Sequence, residues 1–348
     1  MERRKEVRLE NIAEEVGVSI VTVSNALKGK KGVSDEMRKK ICETAMAMGY
    51  QVSEERTKKN KSYMIGIAVA ERYVKEFPSF YMDIYKRLAQ ELTKRGNMSV
   101  LEVVNLEQEK MIHGFSVFQG VEPNGIVVIG EMNRDYIREL AKACEQIPLV
   151  CLDCYDVLEN MDYIVTDSYG GMTQMTELLL DAGHEKLMFV GTPGATGSIT
   201  DRYLGFCRAL EERGIPVTEE NILKDRESDG YDYKLDVELP EALPDAFVCN
   251  CDKSANILIN KLLAKGVRIP EDVSVVSFDH YYSQVQKEIE LTTYENDEKA
   301  IAHICVNTLI KRLEGRKKAA GVRIVEGKAV YGNTVKKQST YQKRERIE

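Results

Sequence analysis

The chain has 348 residues, enough for two or three domains, and its 43% hydrophobic and 30% charged content suits a globular protein that buries real cores. No stretch approaches the roughly 18 unbroken apolar residues of a membrane span. The charged start M-E-R-R-K-E-V-R leads into no apolar run, which argues against a signal peptide and for the cytoplasm. Net charge is −7, yet residues 1–62 hold 14 Lys/Arg against 10 Asp/Glu while the remainder holds 35 against 46, so one end carries a modest positive excess that could meet a polyanion.

Helix signals are dense in the first fifty residues. Leu9, Ile12, Ala13 and Val16 repeat at helical spacing, and Gly17 can end that helix in the left-handed conformation. Ser19 is placed to cap a second helix, I-V-T-V-S-N-A-L, which stops near Gly29; Val18, Val23 and Leu27 would face the first helix. A third helix opens at Ser34 with Asp35 and Glu36 in its first turn, buries Met37, Ile41, Ala45 and Met48, and ends at Gly49. Two short helices joined by a glycine turn, with a third behind them, predict a helix-turn-helix whose second helix enters the major groove. Ile20 and Val21 suit thymine methyls and Asn25 a base edge. Thr22 and Ser24 carry hydroxyls for phosphates.

The run R-L-E-N-I-A-E-E-V-G-V-S-I-V-T-V-S-N-A-L-K-G, then V-S-D-E-M-R-K-K-I, then M-G-Y, closely resembles the headpiece of the LacI/GalR repressor family. That resemblance implies base contacts for Ile20, Val21 and Asn25, and phosphate contacts for Ser19, Thr22 and Ser24; Ser34 is expected among the DNA-binding residues as well. The next segment departs from the family. Where a Pro-Asn start and a wedging leucine are usual, this chain has Val52 and Ser53, and no leucine between Gly49 and Met64. The sequence therefore leaves open whether this segment wedges the minor groove, although Lys58, Lys59 and Lys61 can supply salt-sensitive phosphate contacts.

From Tyr63 onward, apolar strand-like runs alternate with amphipathic helices. Strands are predicted at 64–70, 99–104, 125–129, 149–153, 163–167, 186–191, 246–251 and 273–279, and helices at 81–95, 134–145, 169–182, 201–213, 253–265 and 297–313. Buried strands alternating with helices imply parallel sheets covered on both faces, and so many strands imply two lobes. In such sheets ligands sit at the carboxyl ends of strands, where Asp153, Asp167 and Asp279 fall, with Asp252 nearby. The family resemblance continues to about residue 335, through V-T-D-S-Y-G-G, A-G-H-E-K-L-M-F-V-G, D-R-Y-L-G-F-C-R-A-L and G-V-R-I-P-E-D-V-S-V-V-S-F-D. It implies an α/β fold: a small all-α three-helix headpiece followed by a two-lobed, doubly wound parallel-sheet domain of the periplasmic-binding-protein type. The expected division is 1–50 headpiece, 51–62 linker and 63–340 effector and dimerisation domain. Crossovers between lobes are expected near 164, 293 and 324, giving one lobe of 63–163 plus 294–323 and another of 164–293 plus 324–340.

By position in that fold, a small-molecule effector, expected to be a sugar, would meet Phe80, Tyr81, Asp153, Ser198, Arg202 and Asp279. Charged groups suit paired hydroxyl contacts and aromatic rings suit sugar faces. Where the family often has Asn-Asp, this chain has Cys251-Asp252, so the family's sugars do not carry over. An enzyme is the rival class. G-T-P-G-A-T-G (191–197) lacks the G-K-[ST] of a phosphate loop, the four histidines show no metal spacing, and Ser198 has no evident base. Cys151 and Cys154 form a lone C-x-x-C without further ligands nearby. No cofactor, metal or catalytic residue is expected. A homodimer on a pseudo-palindromic DNA operator follows from the resemblance; the charged tail 336–348 lacks the heptads of a coiled-coil tetramer.

Overall fold

The computed structural model describes residues 7–27, 32–50, 62–75, 79–110, 118, 120–155, 161–227, 230, 232–281, 284–286, 288–316 and 319–336. The chain divides into two compact units, Met1–Ser62 and Tyr63–Glu348. Lys58, Lys59 and Lys61 and the departures at Val52 and Ser53 lie outside the described residues, as does most of the charged tail.

The first unit contains α1 (Leu9–Val16), α2 (Ile20–Leu27) and α3 (Asp35–Ala47). Gly17, at φ 76°, ends α1 by donating its N–H to the Ala13 carbonyl; a side chain at this left-handed position would be strained. Ser19 and Ser34 cap the following helices by accepting the N–H groups of Thr22 (3.1 Å) and Met37 (3.4 Å). Ile12, Ala13, Val23, Ala26, Ile41 and Ala45 form the core, with Val18, Leu27, Met37 and Met48 packed around it. Arg38 donates to the Ala26 carbonyl at 3.0 Å and so ties α3 to the end of α2.

The second unit is a mixed α/β body with two six-stranded sheets. In chain order it runs β1 (Met64–Ala70), α4 (Phe80–Lys94), β2 (Met98–Val104), α5 (Leu106–Lys110), β3 (Gly125–Ile129), α6 (Arg134–Ala143), β4 (Leu149–Leu152), β5 (Asp162–Thr166), α7 (Ser168–Asp181), β6 (Leu187–Val190), α8 (Gly197–Glu212), β7 (Ile222–Leu223), β8 (Ala246–Cys249), α9 (Asp252–Ala264), β9 (Ser274–Asp279), the hairpin β10 (Gln284–Gln286) and β11 (Ile289–Glu290), β12 (Thr292–Glu295), α10 (Glu298–Leu313), β13 (Val322–Val325) and β14 (Lys328–Val330). The first sheet, ordered β13-β5-β4-β3-β1-β2, is parallel throughout. The second, ordered β14-β12-β9-β8-β6-β7, is parallel except at β14. That antiparallel edge departs from the all-parallel expectation for a physical reason. Only Glu326 and Gly327 separate β14 from β13, and without a crossover helix the chain cannot turn back into a parallel register.

Each sheet is covered on both faces. In the first lobe Ile65, Ile67 and Ile129 pack with α4 and α10, while Ala68, Val128 and Cys151 pack with α6. In the second, Phe189, Val248 and Phe278 pack with α7 and α8, and Phe247, Cys249 and Val275 with α9. Three segments join the lobes, and each begins a few residues later than expected: after Thr166, Glu295 and Val325. At the first two crossings the strands run on to polar ends, Thr166 and Glu295, before leaving the sheet, and a helix follows within three residues. Asp167 caps α7 by accepting from the Gly170 N–H, and Asp297 caps α10 by accepting from the Ala300 N–H, both at 2.9 Å. At the third crossing a Cβ on Gly327 would lie 2.1 Å from the Glu295 carbonyl oxygen, so only glycine fits there.

Candidate functional site

On the headpiece, Ile20 and Val21 are exposed, 46% and 68%, although both are large and apolar. A free surface gains nothing by holding them out, whereas a groove lined by thymine methyls would. Ser24 and Asn25 are half-buried beside them, and the Ser19 and Thr22 hydroxyls lie 2.8 Å apart. A serine oxygen that accepts from a backbone N–H keeps its own proton to donate, so the capping roles of Ser19 and Ser34 are compatible with phosphate contacts.

Between the two sheets of the second unit lies a cavity of about 190 Å³ at the carboxyl ends of the strands. All six residues expected there, Phe80, Tyr81, Asp153, Ser198, Arg202 and Asp279, line it. They come from both lobes: Phe80 and Tyr81 open α4, Asp153 follows β4, Ser198 and Arg202 sit on α8, and Asp279 ends β9.

Arg202 is the hub. It is 5% exposed and donates from Nη2 to Asp279 Oδ1 (2.9 Å), from Nη1 to the Asn250 carbonyl (2.7 Å) and from Nε to Ser168 Oγ (3.4 Å). Its guanidinium carbon stands 3.9 Å over the Phe278 ring centroid. Asp279 also accepts from Asn296 Nδ2 at 3.1 Å. Across the cavity Asp153 accepts from the Tyr81 hydroxyl at 2.8 Å. Asp153 and Asp279 hold φ of 52° and 101°, a region that non-glycine residues occupy at a cost of about 1–3 kcal/mol. Both carboxylates are thus held toward the cavity at the expense of backbone strain.

Burial pushes the Asp153 carboxyl up to about 6, with nearby Arg202 opposing the rise. An acid whose value is higher folded than unfolded takes up protons on folding. Stability should therefore fall as pH rises from about 4 to about 6 and level off above that. Asp153→Asn should remove this slope: the variant and the parent should unfold alike below pH 4, and the variant should be the more stable at pH 7. Denaturant midpoints at the two pH values check this.

Two further contacts link the lobes. The Gly197 N–H, at the start of α8, donates to Glu131 Oε2 at 2.6 Å, and Phe80 meets Tyr281 edge-on with ring centroids 6.4 Å apart. The loop 191–197, expected to line the cleft, contributes Thr196, which caps α8 by accepting from the Ile199 N–H at 3.1 Å.

Several lining residues were not foreseen. Arg72 and Tyr73 follow β1, and Arg72 pairs with the buried Glu109 of α5. Their place at a strand's carboxyl end could have marked them. Arg226 and Tyr233 lie in the irregular stretch between β7 and β8, which carries no periodic signal. Lys253 follows Asp252 in the first turn of α9. Asp252 itself serves the fold: it accepts from Ser277, from Thr293 Oγ1 (2.7 Å) and from the Tyr281 N–H (2.6 Å). Asn250 is likewise turned inward, donating to the Val190 carbonyl (3.0 Å) and to Asp225 (2.7 Å). Burial raises the thiols of Cys249 and Cys251. Cys154 is raised by a hydrogen bond with Cys151 and by burial, so these thiols stay protonated. Among the described residues no group of three metal-ligating side chains occurs, and no helix is long and apolar enough to cross a membrane.

The comparisons with known proteins cover both units. Residues 8–53 match the model for bacterial regulatory proteins of the lacI family, and residues 176–335 match the periplasmic binding protein-like domain. A curated relative, the HTH-type transcriptional repressor PurR of Mannheimia succiniciproducens, is 24% identical over 309 residues, covering 88% of this chain and 91% of its own. In fold, the chain is similar to the transcriptional regulator CelR in complex with cellobiose (TM-score 0.66, 21% identity, 94% of this chain and 100% of that one). It is also similar to the lac repressor dimer bound to operator and the anti-inducer ONPF (TM-score 0.64, 20% identity, 95% and 99%). The relatives are regulators, not enzymes. The helix-turn-helix headpiece and the two-lobed domain behind it together identify the chain as a DNA-binding transcriptional regulator of the LacI family.

Proposed function

We propose that this protein is a repressor that acts in the cytoplasm as a homodimer on a pseudo-palindromic operator, and that a small sugar-like effector held between the lobes sets its grip on DNA. The observation that carries this reading is the division of the cavity's polar groups: Arg202 and Asp279 come from one lobe, Tyr81 and Asp153 from the other. A ligand that bonds all four has a different free energy in open and closed arrangements, which is what a switch requires. The volume, about 190 Å³, is below the roughly 300–1,000 Å³ of drug-sized sites, so the ligand is about one sugar ring in size. The relative named as a repressor, the fold neighbour solved as a dimer on operator and the neighbour solved with cellobiose support the same reading. On the headpiece, Ile20, Val21 and Asn25 read bases, and Ser19, Thr22, Ser24, Ser34, Lys58 and Lys59 hold phosphates.

The test is to incubate the purified protein with fragmented DNA of its own genome at physiological salt and sequence what is retained. An enriched inverted repeat is expected. Titrating sugars, with purine bases as aromatic controls, against that DNA should then change its retention. Retention without sequence preference by a folded protein would overturn the operator reading. A response to purine bases alone would overturn the sugar reading.

A further inference from the structure

The two ends of the cavity differ in how their guanidinium groups are satisfied. At Arg202 all three nitrogens find acceptors, in Asp279, the Asn250 carbonyl and the Ser168 hydroxyl. At the other end Arg226 is 8% exposed, and its Nη1 finds no hydrogen-bond partner among the described residues. Its neighbour Asp225 does not supply one. The Arg226 Nε lies 3.9 Å from Asp225 Oδ2, too far for a hydrogen bond. The Asp225 oxygens accept instead from Thr192 Oγ1 (3.1 Å), Asn250 Nδ2 (2.7 Å) and Ser254 Oγ.

Arg226 is also fixed in place. Its guanidinium carbon lies 3.4 Å from the Tyr233 ring centroid, and the two residues form a backbone bridge. Lys253 brings a second cation to the same ring, with Nζ 4.0 Å from its centroid, and burial holds that ammonium below its ordinary range. Lys253 lies in the first turn of α9, where the helix dipole favours anions. Asp232, on the same wall, is exposed to water, where its charge is screened. A buried guanidinium nitrogen without an acceptor costs free energy, and a ligand anion would supply the missing acceptor.

We propose that the effector is a monosaccharide-sized polyol bearing an anionic oxygen group, carboxylate or phosphate, seated against Arg226 and Lys253 while its hydroxyls engage Arg202, Asp279 and Asp153. This rests on the effector reading above and narrows it to sugar acids or sugar phosphates. A neutral sugar offers the Arg226 Nη1 only a hydroxyl oxygen, without the charge assistance of an anion.

The test is calorimetry on the full chain at fixed ionic strength, using matched sets: glucose, glucuronate, gluconate and glucose 6-phosphate, and the corresponding galactose and mannose series. At least one anionic member should bind at least ~10-fold more tightly than its neutral parent, as charge-assisted bonds to guanidinium imply. The acid and phosphate arms tell the two anions apart. Arg226→Met should reduce that ratio to near one. If Arg226→Met shows no cooperative melt, Lys253→Met is read instead and should shrink the ratio. Neutral parents binding as well as or better than their anionic partners, or a ratio unchanged in the variants, would overturn the proposal while leaving the sugar reading intact. Binding by no member of any set would overturn both.

Discussion

Arg202→Met should abolish the response to effector and destabilise the second unit by about 3 kcal/mol, the lower end of the range for breaking a buried ion pair. The lower end applies because Asp279 keeps the Asn296 amide at 3.1 Å after the guanidinium is gone. The Asn250 carbonyl and Ser168 hydroxyl lose their donor, and Phe278 loses the cation above its ring. Arg202→Lys should not rescue the protein, because one ammonium cannot reach three acceptors set in a fixed fork. Asp153 should titrate higher still in Arg202→Met, since the Arg202 charge is the largest influence opposing its rise. Chemical denaturation of Arg202→Met, of Asp279→Leu and of the double variant measures the coupling. The double variant should be less destabilised than the two single losses added together. Strict additivity would show that the pair contributes nothing as a pair.

Ile41→Ala should eliminate DNA binding without touching a DNA-facing residue. Ile41 is fully buried at the centre of the headpiece, whose core holds only six buried apolar side chains among the described residues. Removing a buried isoleucine costs about 2–5 kcal/mol, and a unit this small has little more than that to lose. The expected result is loss of the headpiece helices with the melting of the second unit and its ligand binding unchanged. Asn25→Ala provides the contrast. The headpiece should stay folded, non-specific retention on DNA should persist, and preference for the operator should fall by the about 1–3 kcal/mol of one base contact. If Ile41→Ala still bound operator at wild-type strength, the headpiece core assigned here would be wrong.

These two sites were unequally legible in the sequence. The headpiece was readable almost residue by residue because its determinants are local: Gly17 at a left-handed turn, Ser19 and Ser34 as caps, and an apolar spacing that needs no partner elsewhere in the chain. The strands β1 to β6, β8 and β9 are readable as apolar runs. Periodicity cannot say which sheet a strand joins, however. Residues 164–166, 294–295 and 324–325 therefore lie across their crossings from where they are expected, and the short strands β7 and β10 to β14 are not foreseen. In the cleft, Asp153 and Asp279 followed from the carboxyl-end rule, while Arg202, Phe80, Tyr81 and Ser198 needed the family resemblance. Arg226 and Tyr233 carried no signal, because an irregular loop has no period and their importance lies in a bridge between residues seven apart.

The three crossings also bear on how the protein is made. The first lobe's sheet is completed by β13 (Val322–Val325), and its core by α10, whose Leu309 is fully buried against Gly125. The second lobe's sheet is completed by β14 (Lys328–Val330). Neither lobe is therefore a continuous segment that a ribosome could release finished. Nearly the whole chain must emerge before either sheet has its last strand, and the two lobes reach completion almost together. A truncation near residue 300, which spares every cavity residue named above, should leave both lobes with open edges and unfilled cores. Such a fragment belongs in inclusion bodies or in a chaperone's cavity rather than in solution.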